Sequence, residues 1–209
     1  MNFFLLDNKF LNGALIVNPD APIDGYKFLR GELDLDAPIH FSKNMGKKKY
    51  DAIHGGDVGV QLFHNRLFEA FKSENVTGYH AIPALINLKE GVLEDYSCLV
   101  IAGRASGIDD YKGEIVRKGP FVAGGQPDYF KKGIYFDETT WDGSDIFLLD
   151  GKLFIAVTPK VKGIIEKLRM TNIDLKGIEE EEIPVTTLGL RRPELLEYYR
   201  KQIDKMEGR

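Results

Sequence analysis

The sequence VQLFHNRLFEAFKSENVTGY, residues 60–79, aligns with FIAVTPKVKGIIEKLRMTNI, residues 154–173, at a constant offset of 94 residues. Each segment contains a short apolar run, a polar break, a helical pattern of about three turns and a threonine before a small or polar residue. Positions that would face a core are apolar in both segments, as in Leu67 and Val161. Because two copies are too few for a solenoid, we predict two diverged strand–helix–strand repeats that share one or two cores.

The rest of the chain favours strands over helices. Tyr96–Ala102 is typical of a central strand, and Ile146–Leu149 and Lys152–Val157 flank an Asp150-Gly151 pair that is typical of a tight hairpin turn. Residues 25–57 are polar and interrupted by proline and glycine, so we predict a long loop region with one short strand. Since helices do not alternate with strands, the predicted fold class is α+β, a mainly antiparallel sheet with helices on one face.

The helix boundaries follow from the repeat and from the tail. The first repeat predicts a helix over Asn65–Glu74 that starts at His64, and the alignment places Thr158 at the matching position as an N-cap. Apolar residues of Leu195–Met206 fall on one helical stripe, which predicts a tail helix that docks on the body or binds a partner. We divide the chain into residues 1–94 and residues 95–209, which can also form one continuous domain.

Composition points to a soluble cytoplasmic protein. With 28 basic and 32 acidic residues the net charge is −4, which favours neither nucleic acid nor an anionic membrane as a partner. The single cysteine, Cys98, lies in an apolar run, where a buried strand residue is expected and no disulfide can form within the chain. The chain contains no apolar run of membrane-spanning length and begins without a basic leader.

The motifs of common catalytic, metal and cofactor sites are missing from the sequence. The four histidines lack the spacing of zinc ligands, so they are expected in local structural roles. Gly103–Gly107 follows a predicted strand but lacks the Gly-Lys-Ser/Thr of a phosphate loop, and we interpret it as a turn. His54–Asp57 resembles an oxyanion-hole glycine pair without a nucleophile elbow. We therefore predict no catalytic residue, no metal ligand and no cofactor.

Two acidic segments are the candidate binding residues. Trp141, the only tryptophan, begins the corner Trp-Asp-Gly-Ser-Asp, in which Asp142 and Asp145 flank Gly143. The corner can be structural, with the tryptophan anchored in the core and the aspartates bonded to backbone amides, or it can contact a partner. A second acidic run can be a solvated loop or a partner site; it consists of Glu179, Glu180, Glu181 and Glu182.

Residues 140–178 resemble a bacterial family first described as a domain of unknown function and later assigned to immunity proteins of polymorphic toxin systems. The resemblance is carried by the Trp-Asp-Gly-Ser-Asp-Ile-Phe corner, the following strand, the helix around Val161–Lys167 and Thr171-Asn172. It implies a non-catalytic protein that binds and neutralises a cognate toxin. An acidic inhibitor would complement a basic toxin surface, and charge complementarity chiefly raises association rate and specificity.

Two alternatives stay open from the residues alone. One is an enzyme whose site is assembled from scattered groups, with Asp142, Asp145, His54 and Arg104 as its members. The other is a structural module that pairs with another chain through its C-terminal helix, in which case deleting residues 192–209 would abolish assembly and leave the body folded.

Overall fold

The computed structural model describes residues 2–34, 37–56, 59–120, 125, 128–149 and 154–208. Within those ranges it contains fourteen strands and five α-helices, which confirms the α+β class. The strands are β1 (Phe4–Asn8), β2 (Ile16–Pro19), β3 (Ile39–Met45), β4 (Ala52–Gly55), β5 (Val60–His64), β6 (Tyr79–Leu88), β7 (Gly91–Ile101), β8 (Gly103–Ala105), β9 (Glu114–Lys118), β10 (Asp128–Lys132), β11 (Ile146–Leu149), β12 (Ile155–Val157), β13 (Ile173–Gly177) and β14 (Glu182–Pro184). The helices are α1 (Gly25–Leu29), α2 (Asn65–Ser73), α3 (Pro159–Lys167), α4 (Val185–Arg191) and α5 (Pro193–Met206).

Six strands of the first half close into a barrel in the order β2-β3-β6-β7-β5-β4. The prediction of a long loop over residues 25–57 is wrong, because α1, β3 and β4 occupy this region. In β3 only Ile39 and Phe41 are buried against the barrel interior, and the other five residues are exposed. A strand with so few apolar residues gives almost no periodic signal in the sequence. Cys98 is fully buried inside the barrel, as predicted.

The second sheet has the order β13-β1-β12-β11-β8. Its β11 and β12 pair antiparallel, with Ile146 opposite Val157 and Leu148 opposite Ile155, as the predicted hairpin requires. The predicted Asp150-Gly151 turn lies outside the described residues. All four residues of β11 are buried, because clusters of apolar side chains cover both faces of the sheet.

Each half of the chain contributes a strand to the sheet of the other half. The first strand, β1, lies between β12 and β13, although these belong to the C-terminal half of the chain. In the barrel, β7 lies in the same way between β5 and β6, and the predicted boundary at residue 94 falls inside β7. Matching strand–helix–strand units therefore occupy the two segments that align in sequence. A common origin of the two units stays a prediction.

The two repeat helices, α2 and α3, pack into one shared core between the barrel and the second sheet. His64 caps α2 as predicted, because its Nδ1 accepts a hydrogen bond of 3.2 Å from the Arg66 amide. Pro159 begins α3, whose N-cap residue is Thr158, but the prediction that the Thr158 hydroxyl caps the helix is wrong. That hydroxyl donates to Asp145 instead, at 3.1 Å.

The third sheet, in the order β14-β10-β9, carries the tail. In the run Glu179–Glu182, predicted as a solvated loop or a partner site, Glu179 and Glu180 are exposed on a 3₁₀ turn, whereas Glu182 begins β14 and so does not belong to a loop. The predicted tail helix is confirmed as α5, and it docks on the body through the buried residues Leu195 and Tyr199. No helix among the described residues combines the length and the apolar character that crossing a membrane requires.

Candidate functional site

The tryptophan corner is held together from within. The Trp141 indole Nε1 donates to the Ser144 carbonyl at 3.0 Å, and its ring packs edge-on against Phe3 with centroids 5.1 Å apart. One oxygen of Asp142 accepts from the Ser144 amide at 3.0 Å, and the other accepts from the Arg104 amide at 2.8 Å. These bonds fold the chain around Gly143, whose φ of 84° lies in the left-handed region. The geometry thus matches the structural interpretation of this corner.

The hydrogen bonds at the corner also set the charge of Asp142. Burial alone would raise the pKa of this carboxyl, but the hydrogen bonds from Ser144 and from the Arg104 amide outweigh burial and lower the pKa. Asp142 is therefore ionised at neutral pH, and its negative charge is committed to backbone and hydroxyl donors. A partner would have to compete with those donors for the same oxygens.

Gly103 is where the corner packs most tightly, and it belongs to β8 rather than to the turn that we predicted. A Cβ added there would lie 2.0 Å from Ser144 Oγ and 2.2 Å from the Ile146 carbonyl oxygen. We expect Gly103→Ala to lower the free energy of unfolding by about 2–3 kcal/mol, because backbone has to move to relieve the overlap. Urea unfolding measures this loss. The matched control is Gly119→Ala, where a Cβ meets nothing within 4 Å; equal effects of the two changes would contradict the prediction.

Asp145 links the two halves of the chain through Thr77. Its amide donates to Thr77 Oγ1 at 3.1 Å, and its carboxylate accepts from the Thr77 amide at 3.0 Å. The same carboxylate forms an ion pair of 3.0 Å with Lys160 and accepts from the Thr158 hydroxyl. The hydrogen bonds and the charge of Lys160 lower the pKa of Asp145 in spite of burial, which acts in the opposite direction.

Asp51 makes the same set of contacts with Thr171. Its amide donates to Thr171 Oγ1 at 3.0 Å, its carboxylate accepts from the Thr171 amide at 2.8 Å, and Arg66 pairs with it at 2.7 Å. Asp51 and Asp145 differ by 94 residues, as do Thr77 and Thr171, and 94 is also the offset of the aligned segments. We call these two contact sets the Asp–Thr clasps. In each clasp the aspartate of one half binds the threonine of the other half. The role of Asp145 is therefore structural: it holds the two halves together.

The four glutamates of the acidic run have different surroundings. Glu179 and Glu180 are exposed on the 3₁₀ turn, and Glu182 forms an ion pair with Lys118 across the third sheet. Hydrogen bonding and the charge of Lys118 lower the pKa of Glu182. Glu181 pairs with Lys176 at 3.0 Å and lines a pocket at the second sheet. The run is therefore not one acidic surface, and Glu181 is the member that lines the pocket at the second sheet.

Of the four residues of the enzyme alternative, Asp142 and Arg104 meet at the tryptophan corner, where the Arg104 amide donates to Asp142, whereas His54 lies on another strand. Arg104 uses its guanidinium to bind the carbonyl oxygens of Ile101, Gly103 and Arg30. His54 lies on β4, and its ring packs at a tilt of 54° against Phe10 with centroids 4.9 Å apart. Asp57, at the end of the glycine pair, lies outside the described residues. Asp142 and Asp145 accept hydrogen bonds from backbone amides, and Arg104 donates to backbone carbonyls, so all three side chains hold the backbone in place.

The pocket that Glu181 lines is small and strongly acidic, and we call it the acidic pocket. Its polar lining consists of Asp7, Gln61, Asp174, Lys176 and Glu181, above a floor of buried apolar residues. Its volume is about 130 Å³, well below the roughly 300–1,000 Å³ of typical small-molecule sites. The space suits a few waters or the end of one side chain.

Two features of the acidic pocket break the usual rules of folded proteins. Asp7 on β1 lies directly opposite Asp174 on β13, and like charges at directly opposed positions destabilise a sheet. Gln61 on β5 is 9% exposed, and its enclosed Oε1 has no hydrogen-bond partner among the described residues. An unsatisfied buried carbonyl costs free energy, and such groups concentrate at functional sites.

The surroundings of Asp7 in the acidic pocket change the pKa of its carboxyl group. Asp7 is exposed as a residue, but the protein around its carboxyl removes part of the solvent, and this desolvation is the largest effect and raises its pKa; the charges of Asp174 and Glu181 add smaller increases. The Asn8 amide and the charge of His54 act against this rise but do not cancel it. Among the described residues no group of three histidine, cysteine, aspartate or glutamate side chains is placed to hold a metal ion.

Four residues of these contacts were not predicted from the sequence: Asp51, Asp7, Asp174 and Gln61. The repeat itself could have revealed Asp51, because it aligns with Asp145. Asp7, Asp174 and Gln61 come from three strands that are distant in sequence: β1 pairs with β13 in the second sheet, while β5 belongs to the barrel, so only the tertiary fold brings them together. The sequence matches no protein-family model and shows no significant similarity to a curated protein.

Proposed function

We propose that this protein is a non-catalytic cytoplasmic immunity protein that binds a cognate bacterial toxin and neutralises it. The observation that supports the proposal best is the acidic pocket, in which the opposed carboxylates of Asp7 and Asp174 and the carboxylate of Glu181 line a space smaller than typical small-molecule sites. Such a site suits a cationic group delivered by another macromolecule. The resemblance of residues 140–178 to immunity proteins supplies the kind of partner.

Charge supports the same proposal at longer range. The chain has a net charge of −4, so it attracts a basic protein during diffusional encounter. Complementary charges of this kind raise association rates and discriminate against wrong partners more than they raise affinity. The association rate of the complex should therefore fall as ionic strength rises, because salt screens exposed charges over about 8–10 Å.

Co-expression with the toxic product of the adjacent gene tests the proposal. We expect the protein to restore growth of a strain that produces the toxin, and to co-purify with it as a complex. A folded but unrelated acidic protein of similar size serves as the control, and it should neither rescue growth nor bind. Failure of both rescue and complex formation would reject the proposed function.

A further inference from the structure

A groove beside the tail helix is a second concave site, and it lies at the third sheet. It runs between α5, the start of α4 and the strands β10 and β14, and we call it the tail groove. Its volume is about 430 Å³, which falls within the roughly 300–1,000 Å³ of typical small-molecule sites. Its apolar lining consists of Tyr129, Phe130, Pro184, Val185, Leu196 and Ile203.

We propose that the tail groove binds a small organic anion that has an apolar body and one carboxylate. The apolar body lies against the lining of the groove, and the Arg200 guanidinium binds the carboxylate. This inference goes beyond the proposed function and does not depend on it, because it concerns a different surface of the protein and a different class of ligand.

The lining of the tail groove favours an apolar ligand body. Val185 is 3% exposed, and the other five apolar residues of the lining are half-buried. Apolar side chains that are half-buried around a concave space keep contact with water, and a ligand in that space removes this contact. Removal of apolar surface from water is the dominant favourable contribution to burial in such a site.

Arg200 favours a carboxylate as the charged end of the ligand. It lies one turn after Leu196 and one turn before Ile203 on α5, so the three side chains share one face of the helix. Among the described residues Arg200 forms no ion pair, whereas Lys201 on the same helix pairs with Glu197 at 2.8 Å. A guanidinium presents donors that match a carboxylate in a bidentate arrangement, and it repels a cation.

The acidic residues near the tail groove do not compete for this arginine. Asp128 and Tyr129 are adjacent on β10, so their side chains lie on opposite faces of the third sheet. Tyr129 packs against the core that α5 covers, whereas Asp128 lies directly opposite Lys118 and shares its face. The Glu207 carboxylate already accepts from the Tyr129 hydroxyl. The charge that a ligand meets on the α5 side of the groove is therefore that of Arg200.

The test uses the full chain and octanoate, followed by two-dimensional NMR. We expect saturable shifts of the backbone amides of Thr186, Leu196 and Arg200, which line the groove. From butanoate to hexanoate to octanoate the affinity should rise about fourfold per added methylene, because each methylene leaves water. Octanol and octylammonium should both bind more weakly than octanoate. No saturable shift with octanoate, or equal binding of octanoate and octylammonium, would overturn the proposal.

A pair of charge variants tests the role of the arginine. Arg200→Gln should weaken octanoate binding about tenfold, because it removes the charged hydrogen bonds to the carboxylate, and it should leave octanol binding unchanged. Arg200 is exposed, so the melting temperature should not fall, and lost binding then cannot be attributed to unfolding. Asp128→Asn is the matched control, and it should bind octanoate at least as tightly as the parent. Equal weakening by both changes would overturn the assignment of Arg200.

Analytical ultracentrifugation distinguishes a small molecule from another copy of the chain as the occupant. A chain that stays monomeric, and whose α5 amides exchange hydrogen more slowly in saturating octanoate, would support the proposal, because a ligand that binds the folded state stabilises it. A dimer that excludes octanoate and that Leu196→Glu dissociates would assign the groove to a second copy and overturn the proposal.

Discussion

Replacing Asp145 with alanine is expected to lower the free energy of unfolding by about 2–4 kcal/mol, although this residue sits in the segment that resembles a binding motif. Its carboxylate accepts from the Thr77 amide at 3.0 Å, from Thr158 at 3.1 Å and from Lys160 at 3.0 Å. Hydrogen bonds to a charged group contribute roughly 1.5–3 kcal/mol each when buried, and partial exposure reduces the sum. The measurement is urea unfolding monitored by the fluorescence of Trp141.

The second Asp–Thr clasp provides an internal replicate of this experiment. Asp51→Ala should cost a similar amount, since Asp51 binds Thr171 and Arg66 in the same way. Asp204→Ala, an exposed substitution on α5, should change stability by less than about 0.5 kcal/mol. A loss below 1 kcal/mol for both Asp51→Ala and Asp145→Ala would contradict the structural role that we assign to the clasps.

The pH dependence of stability distinguishes the clasps from simple packing. Hydrogen bonds and basic neighbours lower the pKa of both carboxyls in the folded protein, in spite of burial. A depressed folded pKa means that the clasps stabilise the protein above the unfolded pKa, about 3.9 for aspartate, and lose this effect as pH falls toward the folded pKa. The Asp51→Asn/Asp145→Asn variant should therefore show a flatter stability curve in this acidic range than the parent.

Local elements were predictable because their signals are local. His64 and Asn65 start α2 where the sequence indicates, and the apolar positions Leu67 and Val161 of the two repeat helices are fully buried. The barrel was not predictable, because strands such as β3 bury only Ile39 and Phe41 and carry little periodic pattern. The position of β1 between β12 and β13 depends on pairing between segments that are distant in sequence, which no local pattern encodes.

The candidate site residues likewise differ in whether the sequence could predict them. The tryptophan corner was found from sequence because its residues are contiguous, but its aspartates turn out to bind the protein's own backbone. Asp7 and Asp174 looked like ordinary polar residues within short strands, and only the antiparallel register of β1 with β13 places them opposite each other. The like-charge pair of Asp7 and Asp174 can therefore be recognised in the structure but not in the sequence.

Tyr199→Ala is expected to lower the free energy of unfolding by about 3–5 kcal/mol, the typical cost of truncating a large buried aromatic side chain. The Tyr199 side chain is 1% exposed, and its hydroxyl donates to the Asp110 carbonyl at 2.5 Å. Tyr199→Phe should cost only about 1 kcal/mol, because it removes the hydrogen bond and keeps the ring. Met206→Ala, at an exposed position of the same helix, is the control and should be nearly neutral.

This prediction bears on the alternative in which the tail helix is a free hook for another chain. Leu195 and Tyr199 share a core with Val185 and Leu188 on α4, and Tyr129 of the third sheet packs against it. Removing residues 192–209 would expose that core, so we expect the truncated chain to unfold at a lower urea concentration than the parent. An unchanged unfolding midpoint combined with loss of a partner would favour the alternative in which the C-terminal helix pairs with another chain. A lowered midpoint would mean that the tail completes the third sheet's core, which leaves the acidic pocket as the surface to test for partner binding.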